Sequence, residues 1–215
     1  MADASYIRAD EDDDDDEGDD QPTTGKQAKA AKDAPFKTVQ QNLFKARTVL
    51  IFGEISMKLA REVSAELLAL AVDGDAPIRI VINSPGGHVE AGDTIHDMIR
   101  FIKPEVSVLG TGWVASAGAH IFLGVKRENR YCLPNTRFLI HQPMGGAGGK
   151  ATDIAIEAKE IIRMRQRLNR IIAAETGQPL DKVERDTDRN YWMTAEEARD
   201  YGLVTHIIET QDQLK

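Results

Sequence analysis

From residue 48 onward, two patterns of apolar positions alternate along the chain, one typical of strands and one typical of helices. Short apolar runs predict strands, and these runs lie at 48–53, 78–82, 106–109, 137–140 and 204–208. Apolar residues spaced three or four apart predict helices at 59–72, 91–102 and 153–175, and a run of small residues predicts one at 116–124. A capping-box pattern at Thr194 predicts a last short helix that ends at Gly202. Because the strands alternate with helices in units of ~30 residues, the sequence predicts one α/β domain with a mostly parallel sheet.

The longest helical stripe follows a glycine-rich stretch at 145–149. Its apolar face is formed by Ile154, Ile161, Leu168 and Ile172. A helix of this length is more than a small domain needs, so its apolar stripe is expected to be buried against a partner surface.

The first 35 residues show neither apolar pattern and are predicted to be a disordered acidic tail. The folded domain is predicted to span 36–215. The net charge of the chain is −8, whereas residues 1–20 alone contribute −10, so the rest of the chain is near +2. The acidity therefore says little about the substrate. A solvated tail is the simplest interpretation of this segment, and a processed pro-segment or a partner-binding arm are the alternatives.

Several classes of protein are disfavoured by what the sequence lacks. Cys132 is the one cysteine, so no internal disulfide is expected, and no Cys/His cluster has the spacing of metal ligands. There is no apolar run of about 20 residues and no secretory signal pattern. We therefore expect a cytoplasmic protein with no membrane span, no metal and no nucleic-acid partner.

Two residues lie in local sequences that suit chemistry. Ser116 lies among small residues where a helix begins, and His141 ends an apolar strand just before a proline. A serine beside a base is the smallest set of groups that a hydrolase with a covalent intermediate needs. Each residue also has a simpler interpretation, since Ser116 resembles a helix cap and His141 resembles a satisfied structural histidine.

A glycine turn follows the second predicted strand at 83–87, with the sequence Asn-Ser-Pro-Gly-Gly. Pro-Gly-Gly makes a tight strand-to-helix turn without any function. Alternatively, the glycines let backbone N–H groups approach a ligand or an oxyanion closely. The turn is not a phosphate-binding loop, because no Gly-Lys-Ser/Thr sequence follows it.

Five motifs in this order resemble the proteolytic subunit of the caseinolytic (Clp) protease family. They are Ile-Asn-Ser-Pro-Gly-Gly at 82–87, Gly-Trp-Val-Ala-Ser-Ala-Gly at 112–118, Leu-Pro-Asn-Thr-Arg at 133–137, Ile-His-Gln-Pro at 140–143 and Asp-Thr-Asp-Arg at 186–189. The resemblance covers about residues 44–209. It implies a Clp/crotonase-type spiral of βαβ units with a protruding handle helix at about 145–175.

The resemblance also implies an activity, an assembly and a set of site residues. It makes Ser116 the nucleophile and His141 the general base, and it makes the N–H groups of Gly87 and Ala117 the oxyanion hole. The family forms two stacked heptameric rings around a chamber, and an AAA+ unfoldase of the Clp type feeds unfolded proteins into it. That unfoldase would use the ATP, since this chain has no nucleotide motif, and no cofactor is expected in the chain itself.

The sequence departs from the family at the third member of the catalytic triad. The family's acid usually follows Asp-Thr-Asp-Arg directly, and here that position is Asn190. Asparagine accepts a hydrogen bond from an imidazole N–H but cannot stabilise the imidazolium by charge. Asp186 and Asp188 are further candidates to orient His141. The substitution predicts a serine peptidase that is weak or depends on a partner.

Two alternatives from other classes stay open at this point. One is a catalytically weak ring subunit that assembles with an active paralogue, which Asn190 favours. The other is a crotonase-like enzyme acting on acyl-CoA, which uses backbone N–H groups for an oxyanion but does not need Ser116 beside His141.

Overall fold

The computed structural model describes residues 38–146 and 148–214. The predicted acidic tail, 1–35, lies outside the described residues. The chain divides into two units after Gln40, and the unit that begins at Gln41 holds all the strands and helices named below.

A seven-stranded sheet forms the centre of this unit. Its strands are β1 (Thr48–Phe52), β2 (Ile78–Ser84), β3 (Val106–Ala115), β4 (Arg130–Cys132), β5 (Arg137–Ile140), β6 (Tyr191–Met193) and β7 (His206–Ile207). The strand order is β1-β2-β3-β4-β7, and β5 pairs with both β3 and β6. Every pairing is parallel except the antiparallel pair of β5 and β6. The predicted α/β class with a mostly parallel sheet is therefore what the chain forms.

Among the described residues from 48 onward, six α-helices connect and flank the strands. They are α1 (Met57–Asp73), α2 (Val89–Phe101), α3 (Ala117–Phe122), α4 (Ala151–Thr176), α5 (Leu180–Asp186) and α6 (Ala195–Tyr201). The side chain of Ser56 caps α1 by accepting a hydrogen bond from Leu59 N–H. The predicted capping box at Thr194 is present, with Glu197 as its partner, and Gly202 ends α6 in a left-handed conformation.

Strand β3 divides its pairing between two neighbours. Its middle, Val108–Gly110, pairs with β4, and its end, Trp113–Ala115, pairs with β5. The sequence predicted a strand that ended at residue 109, because two glycines follow there. The strand instead continues, and Gly110 is closely packed there, since a Cβ would lie 3.1 Å from Val114 Cγ2 and 3.3 Å from Phe122 Cε2. The end of β3 and the end of β5 are thus brought side by side.

The long helix α4 is packed against the core only near its C-terminal end. Ile172 is buried, whereas Ile154, Ile156 and Ile162 are 42%, 53% and 55% exposed. Its 26 residues span about 39 Å at the usual helical rise. Within the described residues, no helix is long and apolar enough to cross a membrane, and no group of three His, Cys, Asp or Glu side chains could hold a metal ion.

Candidate active site

Ser116 occupies the turn between β3 and α3 in a conformation that non-glycine residues rarely adopt. Its φ is 55° and its ψ is −120°. Two backbone hydrogen bonds hold it there: Ser116 N–H donates to Leu139 O at 2.9 Å, and Ser116 O accepts from His120 N–H at 3.1 Å. Strained backbone of this kind persists where the surroundings impose it, and here it places the hydroxyl at the start of a helix.

Gly86 packs directly against Ser116. A Cβ at Gly86 would lie 2.6 Å from Ser116 Cβ and 3.1 Å from Ser116 Oγ, and the residue has a φ of +97°. Both the close approach and the positive φ require glycine. The Pro-Gly-Gly turn is therefore part of the wall around the hydroxyl.

Gly87, the next residue along the chain, is held in place by Ile55. Ile55 N–H donates to Gly86 O at 2.8 Å, and His88 N–H donates to Ile55 O at 2.8 Å. A Cβ at Gly87 would lie 2.3 Å from Ile55 O. Within the described part of the chain, no acceptor is recorded for the N–H of Gly87 or of Ala117. Both donors are thus available to an oxygen that carries negative charge.

His141 lies directly after β5 and faces Ser116. The distance between His141 Nε2 and Ser116 Oγ is 2.7 Å. Burial lowers the pKa of His141 below its ordinary value. Among the described residues, the other ring nitrogen has no hydrogen-bond partner. The imidazole is therefore neutral at pH 7 and well placed to accept the serine proton.

Asn190 lies opposite His141 but does not bond to it. The antiparallel register pairs Ile140 with Tyr191, so its next step sets His141 against Asn190. Both residues line one cleft of about 570 Å³. No hydrogen bond between their side chains is recorded in the part of the chain that the structure describes.

The two nearby aspartates are engaged elsewhere. The Asp186 carboxylate accepts hydrogen bonds from Lys182 Nζ at 2.8 Å and from Tyr201 Oη at 2.9 Å. Asp188 pairs with Arg165 at 3.2 Å. In this conformation neither of them orients His141.

The loop that carries Asn190 is tied to both α4 and the residue after His141. Thr187 Oγ1 donates to Asn169 Oδ1 on α4 at 2.9 Å, and both side chains are buried. Gln142 N–H donates to Thr187 O at 2.6 Å, and Gln142 Nε2 donates to Asp188 O at 2.7 Å. Neither this link nor the role of Ile55 can be predicted from the sequence, because neither contact is local in sequence.

The pKa of His141 gives a testable pH dependence. A general base works only when neutral, so a hydrolysis that uses His141 as its base should slow as the pH falls through the pKa of His141. Because burial lowers that pKa, we expect the acid limb of kcat/KM below about pH 6.5, the ordinary histidine value. The measurement is kcat/KM for a fluorogenic peptide from pH 4.5 to 8, with assembly checked at each pH. An acid limb above pH 7 would contradict it.

Comparison with known proteins gives a consistent answer. A family model described as Clp protease matches residues 31–211. "ATP-dependent Clp protease proteolytic subunit 3" of Rhizobium johnstonii is 60% identical over 181 residues, covering 84% of this chain and 93% of that protein. "ATP-dependent Clp protease proteolytic subunit 2" of Gluconobacter oxydans is 57% identical over 197 residues, covering 91% of this chain and 88% of that protein.

Solved structures agree with the sequence comparisons. ClpP1 from Listeria monocytogenes is 58% identical with a TM-score of 0.75. A mutant of that protein, with one asparagine replaced by aspartate, has a TM-score of 0.78 at the same identity. Each comparison covers 82% of this chain and 99% of the other. These similarities confirm the predicted Clp/crotonase-type fold.

Proposed function

The chain belongs to the Clp protease family, and we propose that it is the proteolytic subunit of an ATP-dependent Clp protease that cleaves unfolded polypeptides. The observation that carries the proposal is the 2.7 Å contact between Ser116 Oγ and His141 Nε2. A hydroxyl hydrogen-bonded to a neutral imidazole is the arrangement that activates a serine nucleophile. A crotonase-like reaction on acyl-CoA does not need this contact, so the contact favours the peptidase.

The chemistry follows from the atoms already described. Ser116 Oγ attacks the peptide carbonyl carbon while His141 Nε2 takes the hydroxyl proton. The carbonyl oxygen becomes an oxyanion, which accepts hydrogen bonds from the N–H groups of Gly87 and Ala117. The protonated His141 then gives its proton to the leaving amine, and an acyl-enzyme remains on Ser116. Water then attacks the acyl carbon while His141 Nε2 takes its proton. The bond from the acyl carbon to Ser116 Oγ breaks, His141 returns the proton to Oγ, and the second peptide leaves with a new carboxyl group.

The weak point of this site is the imidazolium formed in the first step. No carboxylate contributes to the pKa of His141, which burial alone lowers. The charged ring is therefore formed at a cost that an Asp-bearing relative does not have. If the Asn190 side chain turned toward the ring across the shared cleft, its amide oxygen would accept a hydrogen bond from the ring N–H, which would fix the tautomer. We infer a weak peptidase, or one that gains activity when a partner moves the Asn190 loop.

The proposed assembly is a pair of stacked heptameric rings in which α4 serves as the handle. The exposed isoleucines along α4 support this, because apolar side chains at this density favour burial against another surface. Substrate would be delivered by an AAA+ unfoldase of the Clp type, and that partner would hydrolyse the ATP. The lack of a carboxylate at position 190 also favours a second candidate function, a weak ring subunit that assembles with an active paralogue.

A fluorophosphonate probe tests the proposal. The native protein is incubated with the probe at pH 7.5, and the modified residue is located by peptide mass spectrometry. We expect one label per chain, on Ser116, and no label on Ser84 or Ser107, which serve as internal controls. The heat-unfolded protein should remain unlabelled. Labelling elsewhere, or none at all in the assembled protein, would contradict the peptidase assignment and favour the weak ring subunit.

A further inference from the structure

A cluster of charged and aromatic side chains lies away from the cleft and joins three helices. Asp93 on α2 contacts Arg167 on α4 through both carboxylate oxygens, at 2.8 Å and 2.5 Å. Asp93 Oδ1 also lies 2.8 Å from Nε2 of His120 on α3. The His120 ring stacks on the ring of His96, with centroids 4.4 Å apart and planes 7° apart. We call these four residues the Asp93 cluster.

The cluster is connected directly to the nucleophile turn. His120 N–H donates to Ser116 O at 3.1 Å, so His120 belongs to the first turn of the helix that Ser116 begins. The preceding residue on α2, Gly92, packs against Ala117, since a Cβ at Gly92 would lie 3.2 Å from Ala117 Cβ. Helix α3 is therefore placed by its contacts with α2.

The charges in the cluster favour a fixed arrangement. Burial raises the pKa of Asp93, but the contacts with His120 and Arg167 outweigh burial and hold that pKa well below its usual range. The carboxylate therefore stays ionised at neutral pH. Arg167 binds the carboxylate in bidentate fashion, a geometry that fixes the orientation of the two groups as well as their distance.

His120 has little else to hold its ring in place. The side chains of His96 and His120 are each 7% exposed. Within the described residues, Nδ1 of His120 and Nε2 of His96 are buried without a hydrogen-bond partner. The contact of His120 Nε2 with Asp93 is out of line for a straight hydrogen bond, since it meets the distance but not the angle. The Asp93 charge is thus the polar restraint on this ring.

We infer that Asp93 is a positioning residue for the peptidase reaction: it ties helix α3, which carries the nucleophile turn, to Arg167 on the long helix α4. The inference rests on the proposed function, because it takes Ser116 as the nucleophile. The order of α4 near Arg167 is transmitted to Ser116 and Ala117 through one carboxylate and one imidazole. A misplacement of about 1 Å at the reacting atoms can cost roughly 10²-fold in rate, so a small loosening of α3 is measurable.

The experiment compares Asp93→Asn with the wild-type protein as assembled particles isolated by size-exclusion chromatography. Two quantities are measured: the rate of fluorophosphonate labelling and the hydrogen exchange of backbone amides in the peptide that spans 116–123. We expect labelling about 10-fold slower and exchange of these amides at least about 5-fold faster. Asp75→Asn is the matched control, because it removes an exposed carboxylate that pairs with Lys103 at 2.5 Å, and it should change neither quantity.

Two further comparisons keep the test independent of a folding defect. Arg167→Lys leaves Asp93 intact and keeps the positive charge but loses the bidentate contact. We therefore expect slower labelling and faster amide exchange, each at roughly one third of the size expected for Asp93→Asn. His120→Gln supplies a side-chain N–H that could donate to Asp93, whereas His120→Leu supplies none. We expect near wild-type labelling for the first and slow labelling for the second.

The outcomes separate this inference from the proposed function. Unchanged labelling and unchanged exchange in Asp93→Asn overturn the inference, and so does slower labelling without faster exchange, because the effect would then bypass α3. If the wild-type protein is not labelled, the proposed function fails. In that case the exchange of the amides in 116–123 decides the inference alone, with faster exchange in Asp93→Asn supporting it.

Discussion

Ser116→Ala is expected to abolish covalent labelling and to lower peptide hydrolysis by at least about 10³-fold. In a complete serine protease triad, the serine contributes about 10⁶ to kcat. The loss should be smaller here, because His141 lacks a carboxylate partner, which is expected to lower the wild-type rate as well. The side-chain change itself is small, since the turn is held by the backbone bonds of Ser116 to Leu139 and His120. The measurement is kcat/KM for a fluorogenic peptide.

The matched control for this substitution is Ser107→Ala, which changes a serine on the same strand, β3, far from the turn. It should hydrolyse peptide within about twofold of the wild-type rate, as surface-type substitutions usually do. Thermal unfolding of both variants shows whether the fold is kept. Hydrolysis that persists in Ser116→Ala at more than one tenth of the wild-type rate would show that another residue is the nucleophile.

Asn190→Asp is expected to raise kcat/KM by about 10- to 100-fold. The register of β5 and β6 sets residue 190 opposite His141 in a shared cleft. A carboxylate there would favour the imidazolium, which the present site forms without a charged partner. The gain should stay below the ~10⁴ that separates Asp from Asn in a complete triad, because the side chain must still turn toward the ring.

The same substitution should move the pH profile in a defined direction. A carboxylate beside an imidazole raises the imidazole pKa, typically by one unit or more. Since His141 must be neutral to act as a base, the acid limb of kcat/KM should shift upward by about one pH unit. Asn42→Asp, which adds the same charge at an exposed position, is the control and should shift neither rate nor limb. A faster enzyme with an unmoved acid limb would mean that residue 190 acts without contacting His141.

Much of the fold could be predicted because its main strands and helices are long enough to show a periodic pattern of apolar positions. Strands β1, β2 and β5 and helices α1, α2 and α4 were all predicted from apolar spacing, with ends that differ by a few residues. Strands β4 and β6 have three residues each, and α5 has seven, which is too short for a period to be read. The second half of β3 was missed because Gly110 and Gly112 look like a turn until Phe122 and Asn83 are seen packed against them.

The candidate site divides in a similar way between local and long-range information. Ser116 and His141 are marked by their immediate neighbours, and the structure brings their side chains together. The tie between Thr187 and Asn169 and the contact of Gly87 with Ile55 join segments that are distant in sequence. No local pattern specifies such contacts, since they depend on how the elements pack. The same reason explains why the sequence could not decide which side chain would orient His141.

The division of β3 between two partner strands gives the two halves of the catalytic machinery different mechanical support. The serine and the histidine are joined through the central sheet, by a main-chain bond from Ser116 to Leu139 two residues before His141. Asn190 directly precedes β6, and the loop before it is held to α4 by the hydrogen bond of Thr187 to Asn169 and to Gln142 by two further hydrogen bonds. Residues 187–190 could therefore open by breaking these few hydrogen bonds, without separating β3 from β5. Such an opening would change the surroundings of His141 while Ser116 and His141 stay side by side.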